Sequence, residues 1–106
     1  MTVLNTRALT KFARKHRDAS AAMDGWVEAA RSADWKSIID VRKTFARAEG
    51  VRIKIKGGGM LVATVFNIKG NEYRLITVID YRGSRIIVQD MLAHADYSRD
   101  AWKERL

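Results

Sequence analysis

Residues Val51-Arg52-Ile53-Lys54-Ile55-Lys56 alternate between apolar and basic without a break. In an extended strand, Val51, Ile53 and Ile55 lie on one side and Arg52, Lys54 and Lys56 on the other. Upstream the apolar period is different. Leu9, Phe12 and Ala13 recur at helical spacing, with His16 one turn on and Asn5 or Thr6 placed to cap. Asp18 is positioned to cap a second helix, whose stripe is Ala19, Ala22, Met23, Trp26, Ala30 and Ala33. Gly25 interrupts that stripe at a cost of about 1 kcal/mol relative to Ala, which a close helix crossing or a kink would explain. Ser37, with Asp40 three residues on, opens a short third helix through Ile38, Ile39, Arg42 and Phe45. Trp35 is expected at the joint, and Gly50 is expected to end the helical half. Downstream, Gly57-Gly58-Gly59 and Arg82-Gly83-Ser84 read as turns between strands at Met60–Ile68, Tyr73–Tyr81 and Arg85–Leu92. Thr2-Val3-Leu4 reads as a short strand. Ser98–Leu106 reads as a closing helix carrying Trp102. The prediction is one domain over residues 1–106, of α+β class, with N-terminal helices packed on one face of a mainly antiparallel sheet.

Charge limits what such a domain can bind. The 106 residues carry a formal net charge of +8, which favours an anionic partner. The halves 1–50 and 51–106 each hold 10 basic and 6 acidic residues, so a basic surface is assembled by folding, not carried by a tail. With no Cys, the chain has neither disulfides nor thiolate metal sites. Its two His, His16 and His94, fall short of the roughly three ligands a catalytic zinc requires, so no metal or other cofactor is expected. No apolar run approaches the ~20 residues of a membrane span, and Met1-Thr2-Val3-Leu4 lacks the features of a signal peptide. A cytoplasmic location without membrane contact is expected.

Phe66-Asn67-Ile68-Lys69-Gly70-Asn71-Glu72-Tyr73-Arg74-Leu75 reads as two strands joined by a tight polar turn. Gly70-Asn71 is expected to supply the positive backbone torsions. The tip gathers a Lys, two amides and an Arg, whose planar fork of donors suits phosphate oxygens. This stretch resembles the HigB-like toxins of the RelE superfamily, the toxin halves of bacterial type II toxin–antitoxin systems. Asp34-Trp35-Lys36 followed by Asp40-Val41 and Phe45 is similar to the helical segment of that family. His94-Ala95-Asp96-Tyr97 is similar to its His-Ala-[Glu/Asp]-Tyr, with Ser98 where the family commonly has Asp.

The resemblance implies a RelE-like fold and a metal-independent endoribonuclease that cleaves mRNA on the ribosome and so arrests translation and growth. It implies a HigA-like helix-turn-helix antitoxin as partner, with operator DNA reached through that antitoxin. Such cleavage uses the RNA 2′-OH as nucleophile and needs proton transfer and stabilisation of phosphorane charge. Arg74 is the candidate for the charge, Lys69 for orienting phosphate or proton transfer, and His94 and Tyr97 for acid–base roles. Arg52, Lys54, Lys56, Asn67 and Asn71 are the candidate RNA contacts. Arg52, Lys54 and Lys56 also fit a solvated edge strand guarded by charge, and Asn71 also fits a turn holder. Two other readings compete. One is a non-catalytic RNA- or ribosome-binding module. The other is a subunit whose charge serves only to bind an acidic protein.

Overall fold

The computed structural model describes residues 1–105. Helices give way to strands between Thr44 and Glu49, slightly before the alternation that begins at Val51. Strand β1 (Thr2–Leu4) leads into α1 (Arg7–Lys15), a 3₁₀ turn (Arg17–Ala19), α2 (Ser20–Ser32) and α3 (Ile38–Thr44). Strands β2 (Glu49–Lys54), β3 (Met60–Ile68), β4 (Tyr73–Asp80) and β5 (Arg85–Ala93) follow, then α4 (His94–Ser98) and a 3₁₀ segment (Ala101–Arg105). The five strands form one sheet in the order β1-β5-β4-β3-β2. β1 runs parallel to β5, and every other pairing is antiparallel.

The central position of β4 explains why both of its faces are apolar. On one face, Phe66, Leu75, Ile86 and Val88 pack with Met23, Trp26, Ala30 and Val41 from the N-terminal helices. Phe66 is ringed by Trp26, Trp35 and Phe45 at centroid distances of 5.3, 6.1 and 5.3 Å. On the other face, Ile53, Ala63, Val65 and Ile76 are closed over by Trp102. Trp102 is 2% exposed, stacks on Tyr97 at 5.2 Å, and donates its indole N–H to the Tyr97 carbonyl at 3.0 Å. A short C-terminal segment thus seals the second face, because one large aromatic covers what a small sheet leaves open.

Several local expectations are corrected. Thr6 occupies the N-cap of α1 without a side-chain cap bond, while Asn5 sits at φ 63° and donates Nδ2 to the Val88 carbonyl at 2.8 Å. Asn5 therefore ties the helix entry to β5. Asp18 lies within the 3₁₀ turn and caps nothing; its carboxylate is used elsewhere. A Cβ at Gly25 would meet nothing within 4 Å, which removes close crossing as its explanation. Ser37 caps no N–H with its side chain, but Asp40 accepts from the Lys36 amide at 2.9 Å. Gly50 lies inside β2, whose strand ends at Lys54, so Lys56 belongs to the following turn. A helix already begins at His94, ahead of Ser98, and Leu106 lies outside the described residues.

Candidate functional site

The β3–β4 hairpin forms as its sequence predicts, with Ile68 opposite Tyr73 and Asn67 opposite Arg74. The positive torsions fall at Lys69 (φ 53°) and Gly70 (φ 65°), one residue earlier than expected. Because neighbouring strand residues face opposite ways, this register sorts the polar residues of the hairpin onto two sides.

Tyr73 faces the N-terminal helices. Its hydroxyl lies 2.9 Å from both oxygens of Asp18 and 3.4 Å from His16 Nδ1. His16 in turn stacks on Phe12 with centroids 4.3 Å apart. The Lys69 ammonium joins the same carboxylate at 2.9 Å and reaches Glu72 at 3.4 Å. The hydrogen bond from Lys69, then that from Tyr73, holds the Asp18 carboxyl below its ordinary range. Asp18 reciprocally raises the Lys69 ammonium. Burial, followed by the bond to Asp18, pushes the Tyr73 hydroxyl up. Lys69, the candidate for orienting phosphate or for proton transfer, is therefore engaged in ion pairs. It is held by two carboxylates on the helix side of the turn.

Arg74 faces the other way, toward the side covered by α4. Its guanidinium donates to the Asn71 carbonyl at 3.3 Å and to the Asn71 side-chain oxygen. It also lies over the Tyr97 ring, with Cζ 5.6 Å from the centroid, a contact worth about 0.5–1 kcal/mol at a partly exposed site. Asn71 therefore holds Arg74 as well as sitting in the turn. Burial pushes the Tyr97 hydroxyl up, and the Glu49 carboxylate adds to the shift while Arg74 opposes it. His94 begins α4 beside this region: its amide donates to the Glu72 carbonyl at 2.9 Å, and its Nδ1 lies 3.4 Å from Ser98 Oγ.

Arg74, Asn67 and Asn71 line an open basin of ≈ 570 Å³, together with Arg42, Arg47 and Glu49. The last three come from α3 and from the chain entering β2, and sequence reasoning missed them. Arg42 is fixed through Nε to the Ala48 carbonyl at 2.9 Å, which ties the connection into β2 back to α3. Helical spacing marked Arg42 only as a residue of a helix, and Arg47 and Glu49 carried no pattern at all. Three guanidinium groups and two amides line one basin, and this donor chemistry is suited to phosphate oxygens.

Arg52 and Lys54 are not brought to this basin. Their cross-strand partners are Val62 and Met60, which alternate with the inward-facing Ala63 and Leu61. Both basic residues therefore lie on the helix side of the sheet, at its β2 edge, opposite in face to Arg74. Val62 and Met60 beside them are 52% and 59% exposed. Among the described residues, no group of three or more His, Asp or Glu is placed to hold a metal ion, and no helix is long and apolar enough to cross a membrane.

The architecture is an α+β domain with a basic, amide-lined basin at one end of a mostly antiparallel sheet. The family model for the HigB toxin, the RelE-like toxic component of a toxin–antitoxin system, matches residues 19–100. The chain belongs to that family, and the fold agrees with a RelE-like domain. A cognate antitoxin is accordingly its partner. A comparison with curated proteins finds no match for the chain.

Proposed function

We propose that this toxin is an endoribonuclease that cleaves mRNA on the ribosome, and that the basin between the β3–β4 hairpin and the entry to β2 is its active site. The observation that carries this reading is the placement of Arg74. Its guanidinium is held by Asn71 and Tyr97 at the rim of a basin that also contains Arg42, Arg47 and Asn67. A preorganised fork of this kind stabilises charge developing on a phosphorane without reorganising during the reaction. Asn67, opposite Arg74 in register, and Asn71 contact the RNA backbone or a base edge. His94 and Tyr97 transfer protons; the raised Tyr97 hydroxyl remains a donor, not a base. Lys69 acts through Asp18 to set the turn. Arg52, Lys54 and Lys56 form a separate basic edge that makes contacts remote from the chemistry.

The reaction uses the substrate 2′-OH and draws on no metal. It leaves a 2′,3′-cyclic phosphate or 3′-phosphate and a 5′-hydroxyl. The antitoxin is of helix-turn-helix type, masks the basic surface, and carries the complex to operator DNA. Mapping RNA ends after induction tests the proposal. New 5′-hydroxyl ends within coding regions, together with growth arrest, are expected. Arrest with intact mRNA would instead mark a non-catalytic ribosome binder, and neither effect would leave only an interaction subunit. Because chelation also disrupts ribosomes, the metal-independent route is checked by chelation on an RNA cut without them, or with a control for ribosome integrity, the end chemistry being read out.

A further inference from the structure

Glu49 is the one carboxylate among the side chains lining the basin. It opens β2 with Val65 as its cross-strand partner, and Val65 lies two residues from Asn67 on the same face. Register therefore aims Glu49 to the side that carries Asn67 and Arg74. The residue before it, Ala48, is buried and grips Arg42, so the backbone under Glu49 is anchored. Yet the Glu49 carboxylate makes no hydrogen bond or ion pair with any described residue, although three arginines line the same basin.

A carboxylate in a basin built for phosphate opposes binding, because like charges repel. Its presence there fits a task that the cations cannot perform, which is accepting a proton. We propose that Glu49 is the general base that takes the 2′-hydroxyl proton. This assignment rests on the ribonuclease reading above. In the step, that proton passes to the Glu49 carboxylate as the 2′-oxygen forms its bond to phosphorus. The phosphorus–O5′ bond breaks, and the leaving 5′-oxygen takes a proton from His94. The products are a 2′,3′-cyclic phosphate and a 5′-hydroxyl, and solvent takes the proton from Glu49 and returns one to His94. The polar side chains that line the basin with Glu49 are Arg42 from α3, Arg47 from the connection, and Asn67, Asn71 and Arg74 from the hairpin, and Tyr97 of α4 lies close enough to feel the Glu49 charge. Glu49 also contributes to keeping the Tyr97 hydroxyl protonated, which leaves Tyr97 unsuited to be the base.

The test is single-turnover cleavage on ribosomes programmed with an mRNA carrying the cut site mapped for the unmodified toxin. Glu49→Gln should lower the rate by about 10²–10⁴-fold. Affinity should be equal or tighter, because a negative charge has left a phosphate basin. The low-pH limb of the rate profile should disappear in Glu49→Gln and persist, at reduced rate, in Glu49→Asp. Circular dichroism and antitoxin binding report the fold of each variant, and Glu49→Asp keeps the test open if Glu49→Gln folds poorly. Tighter binding with an unchanged rate in Glu49→Gln would overturn the assignment and leave Glu49 as a brake on affinity. An unmodified toxin that cuts no RNA would sink the ribonuclease reading itself, a result distinct from either.

Discussion

The two sides of the β3–β4 hairpin carry similar side chains and use them differently. On the helix side, Lys69 and Tyr73 close on Asp18, so a cation, a hydroxyl and a carboxylate satisfy one another. On the open side, Arg74 is held by neutral partners, the Asn71 oxygens and the Tyr97 ring, and makes no ion pair among the described residues. A cation neutralised by a carboxylate offers little field to a phosphate, whereas one held by amides and an aromatic ring keeps its field and its orientation. The helix side is therefore a fastening, and the open side presents the charge that the proposed chemistry requires. The register of a single hairpin produces both.

The largest test of this contrast is Arg74→Ala. Loss of a preorganised donor at the developing charge should lower the single-turnover rate by about 10²–10³-fold, with binding reduced much less. An unchanged rate would move the active site away from the hairpin. Unfolding of the variant would make Arg74 structural. His94→Ala should follow with about a 10²-fold loss if the imidazole transfers a proton, checked in the same assay. Lys69→Ala should cost far less than Arg74→Ala, since only the fastening is loosened. Equal losses from the two, with circular dichroism unchanged, would erase the distinction between the sides.

Most of the fold was legible because periodicity reports which residues a helix or strand must bury. The strands expected at 60–68 and 73–81 and the turn at Gly57–Gly59 follow from local pattern, whereas β2 begins at Glu49, ahead of the alternation from Val51. The basin was only half legible. Asn67, Asn71 and Arg74 lie together in one motif, so a short window reveals them. Arg42, Arg47 and Glu49 join them only because α3 and the entry to β2 fold against the hairpin end, a long-range juxtaposition with no local signature. The face of Arg52 and Lys54 was hidden for a related reason. Alternation shows that they share a side, but only pairing with Val62 and Met60 shows which side. Asp18 misled because a carboxylate before a helix suits a cap, while its partners stand 51 and 55 residues away.

The fastening has its own pH signature. The Asp18 carboxyl is held below its ordinary range by Lys69 and then by Tyr73, so its contribution to stability is fully present above the unfolded carboxyl value. That contribution is lost as pH falls through the lower, folded value. Lys69 is shifted upward by Asp18, so its contribution is present below its unfolded value and fades as pH rises through the folded one. Denaturation midpoints between about pH 2 and 5, bracketing the unfolded carboxyl value of about 3.9, should therefore fall more steeply for the unmodified chain than for Asp18→Asn. Parallel curves would show that the Asp18 contacts do not couple protonation to folding. The single-turnover rate of Asp18→Asn at neutral pH should drop less than that of Arg74→Ala, because Arg74 keeps its own supports on the open side.

The smallest effect on chemistry is expected from the β2 edge. Arg52 and Lys54 lie on the sheet face opposite Arg74, and Lys56 lies in the turn beyond the strand, so none of the three aims into the basin. Neutralising all three should leave the rate at saturating enzyme close to that of the unmodified toxin. If they meet phosphates of ribosomal or messenger RNA, each released contact removes about one from the slope of log affinity against log salt. The slope should then flatten by up to about three, and the loss of affinity should be largest at low salt, where screening is weakest. A salt titration of ribosome binding measures this directly. A flattened slope with an intact rate assigns the edge to encounter and the basin to chemistry. A lost rate at saturation would mean that the two faces act as one site, a result the register of β2 on β3 does not allow without rearrangement of the edge strand.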